Sequence, residues 1–171
     1  MKPNIKYGII LGGILMAISL LLYALGMDKD ETVSKIAGVF NILIPIIITF
    51  LGIKALRDEN QNGFITFGQG FSCGMVISIV GAVISGIYSY LYFVVINPGM
   101  VTYIRMKQEQ EMLDRGLSES EVEKMAGTLE MWSTPGMMAA FAIIGMIILG
   151  LVISLIAAAI LKREDPAATI S

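Results

Sequence analysis

Apolar residues gather into four long runs along this chain, at about 7–25, 36–53, 71–96 and 137–161, and no run contains Asp, Glu, Lys, Arg or His. A hydrocarbon core about 30 Å thick takes about 20 apolar residues of helix at 1.5 Å rise each, so every run can cross it. The pattern predicts an all-α membrane protein with four transmembrane helices. The polar stretches between the runs then define the connections. Residues 27–32 form a short acidic connector, which makes the first two helices an antiparallel pair. Lys54 and Arg57 close the second run and a polar turn follows, with Asn62-Gly63 as its tight corner.

The third connection is different, because about 40 residues separate the last two runs and they carry helix signals of their own. Residues 100–115 are helix-compatible, and Gly116 suits a left-handed cap. Ser118 and Glu121 are spaced as a capping box, with Leu117 able to staple onto Val122. Val122, Met125, Ala126 and Leu129 give one apolar stripe; Val101, Ile104 and Met112 or Leu113 supply another. The expectation is an extramembrane helical hairpin at 100–132, inserted between the third and fourth spans. Seven acids against four bases make it the most acidic part of the chain. Glu109, Glu119, Glu123 and Lys124 mark it as a possible partner surface. Ser133 or Thr134 caps the last span, with Pro135 at its first position.

Inside the spans the informative residues are small ones. Gly8 and Gly12 form a GxxxG pair in the first run. In and before the third run, Gly70, Gly74, Ser78, Gly81, Ser85 and Ser89 recur close to the helical period and so share a face. Such faces let helices in lipid approach closely, and this one is expected to be the packing seam of a four-helix bundle. A pore lined by serines is the competing reading. Asn41 and Pro45 make the other polar spot, since Pro45 cannot donate to the Asn41 carbonyl four residues back. They serve either as a satisfied kink or as a hinge or binding spot. Phe64, Phe67 and Phe71 would share a helical face leading into the third span, with Gln69 the side chain there able to recognise a ligand. Tyr88, Tyr90 and Tyr92 read as an interfacial aromatic belt, and Asn97-Pro98-Gly99 ends the helix.

Composition narrows the function. The 171 residues are 56% hydrophobic, above the 45–50% or so of soluble domains, and the mean hydropathy is +0.77. A net charge of −2 with scattered lysines and arginines offers no nucleic-acid surface. Cys73 is the only cysteine and reads as a small buried apolar residue. There is no histidine, no carboxylate pair within the spans and no nucleophile with a visible base. No catalytic, metal or cofactor residue is expected, and the chain does not read as an enzyme. The first run exceeds the usual 7–15-residue signal core, so it reads as a retained span despite the small residues at 24–26. The tail at 164–171 reads as disordered.

Gly63-Phe64-Ile65-Thr66-Phe67-Gly68-Gln69-Gly70-Phe71, Ile96-Asn97-Pro98 and Ser133-Thr134-Pro135-Gly136 stand in an order that resembles the bacterial domain-of-unknown-function 4199 family. The likeness runs over nearly the whole chain. It implies a small four-span protein of the bacterial inner membrane and carries over no activity. Six Lys and Arg fall on each side of the membrane, but those of the terminal side crowd nearer the span ends, which places both termini in the cytoplasm. The leading expectation is a non-enzymatic protein whose hairpin mediates self-association or contact with another envelope protein. The alternative is a small-solute channel or transporter acting as an oligomer.

Overall fold

The computed structural model describes residues 1–163; the expected disordered tail lies outside them. Six α-helices form among the described residues: α1 (Pro3–Ala24), α2 (Glu31–Ala55), α3 (Phe67–Leu91), α4 (Gly99–Asp114), α5 (Glu119–Trp132) and α6 (Pro135–Leu161). Single π-helical turns extend α2 over Leu56–Asn60 and α3 over Tyr92–Ile96. With those turns, Pro3–Ala24, Glu31–Asn60, Phe67–Ile96 and Pro135–Leu161 are each long and apolar enough to cross a membrane. No strand forms among the described residues, where β pairing is limited to one isolated antiparallel bridge between Ile65 and Arg163.

Helix ends follow local chemistry. Pro3 opens α1, where its fixed φ suits a helix start and its missing N–H costs nothing. The helix stops in a Schellman turn: Gly26, at φ +67°, donates to Tyr23 O (2.9 Å), and Met27 donates to Leu22 O (2.9 Å). Asp30 caps α2 by accepting from the Val33 amide at 2.9 Å. The helix then runs through Pro45 without a break. The corner after α2 places Asn62 and Gly63 at φ +51° and +86°, as its Asn-Gly pair requires. At the far end of α3, Asn97 leaves the helix at φ −140° before α4 begins at Gly99.

The chain divides into two compact units. One comprises Met1–Ser85 with Ile143–Ser171, the other Gly86–Ala142. In the first, α3 packs against the other three long helices through glycine contacts. A Cβ added at Gly8 of α1 would lie 2.6 Å from Val80 Cβ, and one at Gly12 would lie 2.7 Å from Ile84 Cβ. Equal steps along both helices make α1 and α3 parallel neighbours. On α6 the pairing runs backward: Gly70 meets Ala158, Gly74 meets Ser154, Ser78 meets Gly150 and Gly81 meets Met146. That is an antiparallel seam in which a small residue on one helix receives a side chain from the other. Gly52 of α2 abuts Ile77 and Tyr7. Leu11, Ile53, Ile77 and Ala157 are fully buried in the resulting core.

Large apolar side chains cover the outside of the long helices, with Leu21 58%, Ile148 61% and Ile160 65% exposed. A soluble monomer rarely shows contiguous apolar surface on this scale; lipid tails favour it.

In the second unit, α4 and α5 are joined through residues 115–118 and contact one another. Gly116, at φ +91°, closes α4 with a second Schellman pair, Gly116 N to Leu113 O (2.9 Å) and Leu117 N to Met112 O (3.2 Å). Val101 and Val122 are buried, whereas Met125 is 42% exposed at the edge of the anticipated stripe. Arg105 Nη1 lies 3.5 Å from Glu130 Oε1 between the two helices. Thr134, rather than Ser133, accepts from the Met137 amide at 3.4 Å ahead of Pro135 in α6.

Candidate functional site

Three places hold residues singled out in the sequence: the α3–α6 seam, the corner between α2 and α3, and the charged surface of α4 and α5. In the seam, Gly74 and Gly150 leave no room for a side chain of their own, because Ser154 and Ser78 occupy it. Ser78 is buried and its Oγ donates to Gly74 O at 3.0 Å, the bond back one turn that a serine in an apolar helix makes. Ser154 and Thr49 are fully buried, and neither hydroxyl has a hydrogen-bond partner among the described residues. Gly70, Gly74, Ser78 and Gly81 therefore act as close-packing positions. Ser85, half-buried, ends this unit, and Ser89 lies in the other. Cys73 sits beside the seam with its Sγ 3.8 Å from Gly52 O, at 2% exposure.

Asn41 and Pro45 part company. Pro45 is buried, while Asn41, one turn earlier on α2, is exposed. The amide thus stands outside the core of its unit instead of joining the buried seam serines.

The α2–α3 corner is more tightly built than its sequence implies. Ile65 N donates to Arg163 O at 2.8 Å and Arg163 N to Ile65 O at 2.9 Å, which ties the corner to the exit of α6. Arg57 Nη1 reaches Leu161 O at 3.4 Å, while its Nε holds Asp58 at 2.7 Å. The Arg163 guanidinium lies 5.7 Å from the Phe64 ring centroid. Because Phe64 belongs to this extended clasp, it does not share a helical face with Phe67 and Phe71. Those two, inside α3, stack at 6.3 Å. Gln69 is occupied in capping: its Oε1 accepts from Thr66 N (2.9 Å) and Thr66 Oγ1 (3.1 Å), and its backbone N–H donates to Thr66 Oγ1 (3.3 Å). This is a reciprocal capping box, with Thr66 preceding the helix and Gln69 at its third position. The Thr-x-x-Gln spacing was its signal in the sequence.

On α5, Ser118 N donates to Glu121 Oε2 at 2.8 Å and Ser118 Oγ donates to the same oxygen at 2.7 Å. These bonds, the hydroxyl's first, hold the Glu121 carboxyl below the usual glutamate range. Glu119, Glu123 and Lys124 are exposed, and Glu109 on α4 is half-buried. Of the three tyrosines read as a belt, Tyr90 is exposed. Tyr92 is buried instead, with its hydroxyl accepting from Asn97 Nδ2 at 3.1 Å and its ring 6.0 Å from Tyr88. No group of three or more His, Cys, Asp or Glu side chains able to hold a metal occurs among the described residues.

These four apolar helices and their connecting charged pair can be set beside known proteins. The family described as "Protein of unknown function (DUF4199)" matches residues 6–163. The chain belongs to the DUF4199 family. The match spans all six helices apart from the first three residues of α1, so the resemblance read from the glycine-aromatic corner and the Asn-Pro junction holds over the whole described fold. No curated protein and no solved structure matches this DUF4199 member.

Proposed function

We propose that this DUF4199 protein is a non-enzymatic, multi-pass protein of the bacterial inner membrane with both termini in the cytoplasm. Its α4–α5 pair would then form a hairpin outside the membrane and mediate association with a second copy or with another envelope protein. The observation that carries this reading is the contrast in surface chemistry between elements. The long helices present exposed Leu, Ile, Val and Phe to their surroundings. On α4 and α5 the exposed positions include Glu111, Asp114, Glu119, Glu121, Glu123 and Lys124, interspersed with Met106, Met125, Met131 and Trp132. Charges of that kind are costly inside hydrocarbon and natural in water. Apart from Arg105 with Glu130, no ion pair of 4.0 Å or less links α4 to α5 among the described residues. The acids thus stand outward, where a basic partner surface fits them.

The oligomeric channel is less well supported. A serine-lined path needs the seam to open, yet Gly74 with Ser154 and Ser78 with Gly150 fill one another's space.

Photo-crosslinking residues placed at Glu109, Glu119 and Lys124 in living cells test the proposal. One defined adduct shared by these positions, and weakened by reversing the charges at Glu119 and Glu123, is the expected result. Uniform absence of adducts at all three positions would count against a partner surface.

A further inference from the structure

Two of the apolar runs end in the same chemical order. The run at 36–53 is followed by Lys54, Arg57, Asp58 and Glu59, and the run at 137–161 by Lys162, Arg163, Glu164 and Asp165. The fold sets these two ends side by side. A Cβ added at Gly70 of α3 would lie 3.2 Å from Ala158 Cβ on α6 and 3.5 Å from Ile53 Cγ2 on α2. Beyond that level Arg57 reaches the Leu161 carbonyl, and Ile65 holds Arg163 through two backbone hydrogen bonds. Lys54, Arg57 and Arg163 all act on the charge of Asp58. Only Arg57 is bonded to it, through Nε at 2.7 Å and Nη2 at 3.4 Å. Lys54, Lys162 and Arg163 are exposed, and no carboxylate lies within 4.0 Å of them among the described residues.

Depth decides what meets these cations. Lys54 and Lys162 are each the first charged residue after an apolar run, so their ammonium groups stand where hydrocarbon gives way to headgroups. Asp58 and Glu59 come about one turn later, farther from the hydrocarbon. We propose that Lys54, Lys162 and Arg163 bind the phosphate of an anionic phospholipid between the ends of α2 and α6. Basic pockets between transmembrane helices hold anionic headgroups in this way. A zwitterionic lipid brings an ammonium of its own to compete with the lysines, whereas an anionic lipid does not. At the other end of α2 the lysine is already engaged, Lys35 lying 3.0 Å from Glu31. The site rests on the membrane-spanning reading of the long helices, and it holds whichever side of the membrane this end faces.

Brominated lipids test the site, with the full chain reconstituted in phosphatidylcholine vesicles. Phe64→Trp on a Trp132→Phe background is the fluorescent reporter, because Phe64 lies against Arg163. Brominated phosphatidylglycerol is expected to bind at least about fivefold more tightly than brominated phosphatidylcholine, the factor one lysine supplies near a charged surface. Lys54→Gln with Lys162→Gln is expected to abolish that preference, and Lys29→Gln with Lys35→Gln to leave it unchanged. Equal quenching by the two lipids, or a preference that survives the first pair of substitutions, would overturn the proposal. So would loss of the preference on adding inorganic phosphate at constant ionic strength, which would assign the cations to a soluble phosphate. Quenching by neither lipid would overturn the membrane-spanning reading, and the site with it.

Discussion

Gly74 and Gly150 are where a single atom decides the fold. Each receives a serine from the facing helix, Ser154 and Ser78 respectively, so a side chain at either glycine must displace a helix rather than a flexible tip. Gly74→Val is expected to destabilise the first unit by about 1–3 kcal/mol, the usual cost of overpacking. The measurement is the loss of monodisperse protein in detergent as temperature rises. Two residues on the same scale work in the other direction. Ser154 and Thr49 bury hydroxyls that no described residue satisfies, and an unsatisfied buried polar group costs about 1–3 kcal/mol. Ser154→Ala and Thr49→Val are therefore expected to leave stability unchanged or raise it. A marked loss in both would show that those hydroxyls hold something essential. The spacing of the small residues was legible in the sequence because a helix repeats every 3.6 residues. Their partners on α6 were not, since spacing within one helix says nothing about the register of another.

Element boundaries followed chemistry that could be read in part. Gly116 and the Ser118-x-x-Glu121 pattern announced the end of α4 and the start of α5, and both stand in the fold as read. The Thr66-x-x-Gln69 box follows the same rule at the start of α3. Phe64 illustrates the limit: nothing local to residue 64 tells that Arg163 will pair with Ile65 and pull the segment out of the helix. Tyr92 is a similar case: its partner Asn97 lies past the helix end, so spacing along α3 does not announce the contact. The start of α5 has a pH signature. Bonds from Ser118 lower the Glu121 pKa, so they stabilise the helix start above the ordinary glutamate range near about 4.3. That contribution fades as pH falls through the lowered folded value. Protection of the amides at residues 118–122, taken as exchange relative to the unstructured rate at the same pH, is expected to fall on acidification, and Glu121→Gln to be less protected at neutral pH with a flatter pH response. Identical profiles for the two proteins would contradict the cap's role.

At the scale of the whole molecule, composition carried the most. Four uncharged runs became four helices long enough to span a bilayer, and DUF4199 membership extends over nearly all of them. The runs do not fix the side of the membrane that α4 and α5 face. The proposed arrangement puts the exposed acids of α4 and α5 outside the membrane and Lys54, which ends α2, on the cytoplasmic side. Labelling single cysteines with a membrane-impermeant maleimide, on the Cys73→Ala background and with the outer membrane opened, tests this most directly. Glu119→Cys is expected to label in cells whose inner membrane is intact, and Lys54→Cys only after that membrane is broken. If Glu119→Cys labels only after lysis, or stays protected even then, α4 and α5 do not form an outward hairpin.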